Sequence, residues 1–224
     1  MNRVRVSSGA PADATAALGE AGVVAVLRAS TSRHVARVAH DMVAAGIRVV
    51  EVTLTTPDAV SLIKQLHSEL GGDALVGAGT GVSLEEAEAC IDAGADFLVS
   101  PTTSLDVVAT ARIAGVAAYP GALTPTEILT AQRSGASAVK LFPAATFGPG
   151  YLKQIRGPFP NIPIMPTGGI GLADVETWLR AGAAAVGLGS SLSGSACEDG
   201  VDAQLKDRVR RVLDDVASAR QDGR

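Results

Sequence analysis

The sequence predicts one α/β domain in which repeated strand–helix units close into a barrel, and three observations lead there. The first is a recurring glycine followed by an apolar run: EAGVVAVLR at Gly22, AAGIRVVEV at Gly46, DAGADFLVS at Gly94, IAGVAAYPG at Gly115, RSGASAVKLF at Gly135 and RAGAAAVGLG at Gly182. The second is spacing. The intervals are 24, 48, 21, 20 and 47 residues, so each long gap holds one further unit, LGGDALVGAG near Gly72 and PNIPIMPTGG near Pro160. The third is composition: 47% of residues are hydrophobic but only 3% aromatic, which leaves Ala, Val, Leu and Ile to fill a parallel sheet covered by helices.

Each repeat glycine follows an amphipathic stretch and precedes a β-branched run, the pattern of a helix end leading into a strand. Strands are expected near 23–28, 47–54, 74–78, 96–100, 116–119, 137–142, 162–166 and 185–188. Eight units in one chain of 224 residues point to a single (βα)8 TIM barrel rather than an open doubly wound sheet. A dinucleotide-binding sheet would carry a glycine-rich turn after its first strand, whereas here Arg28-Ala29-Ser30-Thr31 follows. An extra N-terminal helix near 11–21 would cover the barrel bottom, and Asp199 to Arg220 would form a closing helix. The chain 1–224 thus reads as one domain, with 1–10 and 220–224 as flexible ends.

Composition also narrows the function. A net charge of -4 argues against nucleic acid as the main partner, because phosphate neutralisation needs a basic face. No apolar run approaches the roughly 20 residues of a membrane helix, so no membrane partner is expected. Met1 to Ala10 lacks an apolar core of the secretory type. Cys90, in a helical pattern, and Cys197, in a loop, are too few for a disulfide framework, so a cytoplasmic location is expected. His34, His40 and His67 fall in the first two helices after a strand and lack metal-ligand spacing, so no metal is expected. Trp178 reads as a packing residue.

The chemistry should sit at the strand C-terminal ends, the face that carries active sites in this fold. Of the four lysines, Lys64, Lys153 and Lys206 fall in helical or loop stretches, but Lys140 lies inside Ser137-Ala138-Val139-Lys140-Leu141-Phe142. Strand side chains alternate, so Val139 and Leu141 should face the helices while Ala138, Lys140 and Phe142 face the interior. Burial disfavours the charged form of an amine, and the neutral amine is the nucleophile. By the same alternation Val50, Val52 and Leu54 face outward, and Glu51 and Thr53 inward. A buried amine and carboxylate can simply pair, or they can be a nucleophile and its proton shuttle. Arg28 ends the first strand and Thr80 the third, so four polar residues converge on one mouth. Strands seven and eight end in Pro166-Thr167-Gly168-Gly169-Ile170 and Gly187-Leu188-Gly189-Ser190-Ser191, glycine turns whose N–H groups, with a following helix dipole, suit a phosphate.

Several of these segments together resemble one known family. Glu51-Val52-Thr53-Leu54, Val76-Gly77-Ala78-Gly79-Thr80, Ser100-Pro101, Pro120-Gly121, Val139-Lys140-Leu141-Phe142-Pro143, Gly157-Pro158-Phe159-Pro160 and Pro166-Thr167-Gly168-Gly169-Ile170 are similar to motifs of the 2-keto-3-deoxy-6-phosphogluconate (KDPG) and 4-hydroxy-2-oxoglutarate aldolases. The likeness runs from about Gly22 to Ser191. It implies a class I aldolase, acting without a cofactor, that cleaves KDPG to pyruvate and D-glyceraldehyde 3-phosphate, and it implies a homotrimer. It gives Lys140 the Schiff base and Glu51 the proton transfers. Thr80 would help hold the substrate carboxylate, with Pro101 and Phe142 shaping the pocket. Arg28, Gly168, Gly169, Gly189 and Ser190 would hold the distal phosphate. Thr55 stands where many relatives carry an arginine that contacts the carboxylate, which bears on activity toward 4-hydroxy-2-oxoglutarate. Thr167 is a threonine in the gluconate-specific pattern and tends to be valine in galactonate-specific relatives. The alternatives are the galactonate-derived epimer as substrate, a phosphosugar isomerase or epimerase working by acid–base chemistry alone, and a silent phosphosugar-binding protein.

Overall fold

The computed structural model describes residues 11–81 and 83–221. Helix α1 (Pro11–Ala21) precedes strand β1 (Val23–Leu27), and the chain then alternates as the glycine repeat requires. The further strands are β2 (Val49–Thr53), β3 (Leu75–Gly79), β4 (Phe97–Val99), β5 (Ala117–Tyr119), β6 (Gly121–Ala122), β7 (Val139–Leu141), β8 (Ile164–Pro166) and β9 (Val186–Leu188). Between them lie α2 (Val35–Ala44), α3 (Ala59–Leu70), α4 (Leu84–Asp92), α5 (Leu105–Ala114), α6 (Pro125–Arg133), α7 (Gly148–Arg156) and α8 (Val175–Arg180). After β9 come α9 (Ser190–Ser193), α10 (Ala196–Asp199) and α11 (Leu205–Gln221). The six repeat glycines all hold positive φ, from +68° at Gly22 to +119° at Gly46, a backbone region where a Cβ is strained. Helix starts are fixed locally too. Ser83 with Glu86, and Thr124 with Glu127, form reciprocal capping boxes at α4 and α6.

All strand pairs are parallel. One sheet runs β5-β4-β3-β2-β1-β9 and a second β6-β7-β8. Two joints curl them into one barrel: β5 continues into β6 across Pro120, and a bridge between Thr167 and Gly187 links β8 to β9. The strand expected at 116–119 is β5, and β6 is a further short piece beyond it, because Pro120 has no N–H to give the ladder, although its carbonyl still accepts from the Lys140 N–H at 2.9 Å.

Alternation sorts the core into two shells. Val23, Ala25, Leu27, Val50, Val52, Val139, Leu141, Val186 and Leu188 join the outer shell against the helices. Val24, Val49, Leu75, Phe97, Tyr119, Ala138, Met165 and Ala185 fill the interior, and Ala14 and Leu18 of α1 plug its lower end. The Phe97 and Tyr119 rings stack there with centroids 5.3 Å apart. Trp178, 2% exposed, packs in the outer shell.

Three boundaries differ from the sequence expectation. The closing helix begins at Leu205 rather than Asp199, because Gly200 at φ +80° ends the short α10 first. Cys197 consequently lies in α10, buried, instead of in a loop. Of the ends expected to be flexible, 1–10 and 222–224 lie outside the described residues, but Arg220 and Gln221 complete α11, and the Arg220 guanidinium donates to the Gly19 carbonyl. Among the described residues no helix is long and apolar enough to cross a membrane.

Candidate active site

The pairing register brings the inward polar residues to the upper end of the barrel. Glu51 is level with Val26 and Gly77 on its two neighbours, and Lys140 with Gly121 and Met165. Glu51 is fully buried and Lys140 is 5% exposed. Lys140 Nζ lies 3.8 Å from Glu51 Oε1, outside hydrogen-bonding range. Among the described residues neither carboxylate oxygen of Glu51 has a hydrogen-bond partner.

That geometry bears on the two readings of the pair. Taking two charges out of water costs several kcal/mol each, which a structural ion pair offsets only with close hydrogen bonds that also satisfy the remaining lone pairs. This pair has a long separation and unsatisfied oxygens, so it fits groups held ready for a third partner.

Glycines make the room for it. A Cβ on Gly79 would overlap the Glu51 carboxylate, one on Gly77 the Phe97 ring, and one on Gly121 the carbonyl of Pro101. Pro101 can thus come up beside the strand position level with Lys140. The Phe142 ring stands 5.5 Å from Lys140 Nζ, and a Cβ on Gly168 would lie 2.9 Å from that ring's edge. Phe142 is therefore held between the amine and the turn after β8.

Arg28 Nη2 donates to Thr80 Oγ1 at 3.4 Å, a contact the sequence did not announce, and Thr80 holds φ +64°. This sets Arg28, which the resemblance gives to the phosphate, against the residue it gives to the carboxylate. Thr55 is exposed, with its hydroxyl 3.1 Å from that of Thr53. Thr167 is buried, packed against Gly187, and donates to the Met165 carbonyl at 3.4 Å. The bridge from Thr167 to Gly187 sets the Gly168-Gly169 turn beside the strand that leads to Gly189 and Ser190.

One expectation needs correcting. The glycine turns are not followed by long helices: α9 has four residues, and Gly169 leads to a single 3-10 turn, Leu172–Asp174, before the six-residue α8. A dipole sums over aligned peptides, so these helices contribute little and the N–H groups of the turns themselves must carry anion binding. His40 pairs with Glu69 at 2.7 Å, and His67 Nδ1 lies 3.6 Å from Asp96, both away from the mouth. Among the described residues no group of three or more His, Cys, Asp or Glu could hold a metal ion.

Sequence reasoning passed over several residues that shape this site. Gly77, Gly79 and Gly187 alternate with apolar residues at inward positions, a period-two signal present in the strands themselves. Thr56, which accepts from the Ala29 N–H at 3.2 Å, and Glu198, which accepts from Ser30, left no local signal.

Comparison with known proteins bears directly on this arrangement. A family model described as KDPG and KHG aldolase matches residues 14–209. The chain belongs to this family. The 2-dehydro-3-deoxy-phosphogluconate aldolase of Pseudoalteromonas atlantica is 36% identical over 191 residues, covering 85% of this chain and 87% of its own length. The 2-dehydro-3-deoxy-6-phosphogalactonate aldolase of Escherichia coli K12 is 33% identical over 171 residues, covering 76% and 83%. Among solved structures, the KDPG aldolase of Legionella pneumophila, with pyruvate captured as a covalent carbinolamine intermediate, aligns with a TM-score of 0.79 at 28% identity. That alignment covers 93% of this chain and 98% of the other. The barrel and the aldolase activity follow from family membership, while the relatives carry phosphogluconate, phosphogalactonate and KHG/KDPG aldolase names.

Proposed function

We propose that this KDPG/KHG-family aldolase works through a Schiff base on Lys140, with 2-keto-3-deoxy-6-phosphogluconate as the preferred substrate. The observation that carries the proposal is the buried Lys140 amine 3.8 Å from a Glu51 carboxylate that lacks hydrogen-bond partners among the described residues. The Lys140 amine attacks the C2 carbonyl, and the carbinolamine loses water to give a protonated imine. Glu51, directly or through one water, takes the proton from the C4 hydroxyl as the C3–C4 bond breaks. The bond's electron pair moves through C3 to the imine nitrogen, leaving an enamine and freeing glyceraldehyde 3-phosphate. Protonation at C3 and hydrolysis then release pyruvate and restore the amine. The nitrogen is the electron sink.

For the rest of the substrate, Thr80 and Arg28 are proposed to face the carboxylate and phosphate ends, with Thr55 near the carboxylate. Pro101 and Phe142 wall the reacting carbons. The N–H groups of Gly168, Gly169, Gly189 and Ser190 would take the phosphate. The choice of epimer rests on Thr167, whose inward hydroxyl suits a hydrogen bond to C4–O in one configuration. The test is pyruvate release from both phosphorylated epimers, by wild type and by Lys140→Ala, with a melting curve to check folding. The proposal expects release by wild type, faster from the gluconate-derived acid, and none by the folded variant. No release from either acid, or release by the variant, contradicts it.

A further inference from the structure

We propose that Glu198 is a positioning residue: it clamps the loop after β1 across the seam between the last and first strands, and so fixes where Arg28 stands. The inference rests on the aldolase reading above and adds a residue to it. Ala196 and Cys197 of α10 are buried, which anchors this short helix and leaves the next side chain, Glu198, exposed beside the mouth. Its Oε1 accepts the Ser30 N–H at 2.8 Å and its Oε2 accepts the Ser30 hydroxyl at 2.5 Å, across 168 residues of sequence. The Ser30 hydroxyl, and then the Ser30 N–H, hold the carboxyl below the usual range for glutamate, so the clamp is charged.

The other flank is pinned as well. The Ala29 N–H donates to Thr56 Oγ1 at 3.2 Å, and Thr56 is buried, with its hydroxyl 3.3 Å from that of Thr53. The two N–H groups directly after Arg28 thus end on side chains from opposite sides, Thr56 behind β2 and Glu198 behind β9. At a strand end no ladder partner continues, so the groups that accept these N–H bonds decide the path of the chain. Arg28 itself is exposed, and its bond to Thr80 is long at 3.4 Å. A flexible guanidinium of this kind is placed only as well as the backbone that carries it.

Charge alone would argue against an acid here. A carboxylate beside a site for an anionic substrate repels that substrate, so a clamp and a purely electrostatic role make opposite predictions. In the condensation direction, with pyruvate and glyceraldehyde 3-phosphate, Glu198→Ala should raise the KM of the phosphorylated aldehyde about tenfold with little change in kcat, since small misplacements of a binding group are costly. Glu198→Gln should stay near wild type, because its amide still accepts the Ser30 N–H and can donate to the Ser30 hydroxyl. Borohydride trapping of pyruvate alone should be the same in Glu198→Ala and wild type. A wild type that does not trap pyruvate overturns the aldolase reading. With trapping intact in wild type, the clamp is overturned if KM is unchanged or falls in Glu198→Ala, if Glu198→Gln matches Glu198→Ala, or if Glu198→Ala loses trapping.

Discussion

Replacing Gly79 by alanine should impair the enzyme without substituting a polar residue. The added methyl would collide with the Glu51 carboxylate, lying 2.6 Å from its Cγ and closer still to its Cδ. Glu51 is fully buried, and the Gly79 backbone is held in register with Thr53, so neither side can give way freely. Overpacking of this kind costs about 1–3 kcal/mol, and at this chain length each kcal/mol lowers Tm by roughly 2–4 °C. If Glu51 yields by about 1 Å, kcat/KM should fall by about 10²-fold, or ~2.7 kcal/mol. Gly19→Ala is the matched control. Nothing lies within 4 Å of a Cβ at Gly19 in α1, so the same substitution should stabilise by about 0.5–1 kcal/mol. Melting curves and kcat/KM for the three proteins check both signs. A Gly79→Ala enzyme with wild-type Tm and activity would mean that the carboxylate does not rest on this glycine.

Other outcomes follow from the same structure. Thr167→Val should narrow the preference between the two epimers, since one buried hydrogen bond is worth about 1–3 kcal/mol, or roughly 5- to 150-fold. A variant that loses Tm but keeps the epimer ratio of kcat/KM would make Thr167 a packing residue only. Removing the substrate's phosphate should lower kcat/KM by about 3–5 kcal/mol of transition-state binding. Equal activity on both forms would strip Gly168, Gly169, Gly189 and Ser190 of their proposed role. Burial pushes the thiols of Cys90 and Cys197 up to about 11, so neither should react with iodoacetamide near neutral pH until the protein unfolds. Rapid labelling of the folded protein would contradict that burial.

Much of the barrel was legible because it is written locally. Six strands follow a repeat glycine at positive φ that turns the chain out of a helix, and the period-two alternation around Glu51 and Lys140 assigns both to the interior before any contact is known. What was not legible depends on residues distant in sequence. Pro120 interrupts the ladder where the chain passes from pairing with β4 to pairing with β7, and that change of partner has no local signal. The clamp from Glu198 to Ser30 joins segments 168 residues apart, and the Arg28–Thr80 contact spans 52. The expectation of helix dipoles behind the glycine turns failed for a local reason: Gly194 and Gly200, both at positive φ, cut the segment after β9 into short helices before α11 begins. The inward glycines were visible as residues but not as space, since only the folded register shows that Gly79 lies under Glu51.

The central claim is that Lys140 is the covalent nucleophile. Reducing the protein with borohydride in the presence of pyruvate and mapping the peptides by mass tests it most directly. A single adduct is expected, heavier by one pyruvate less one oxygen atom, on the peptide carrying Lys140. An adduct on Lys64, Lys153 or Lys206 instead, or none at all, would contradict it.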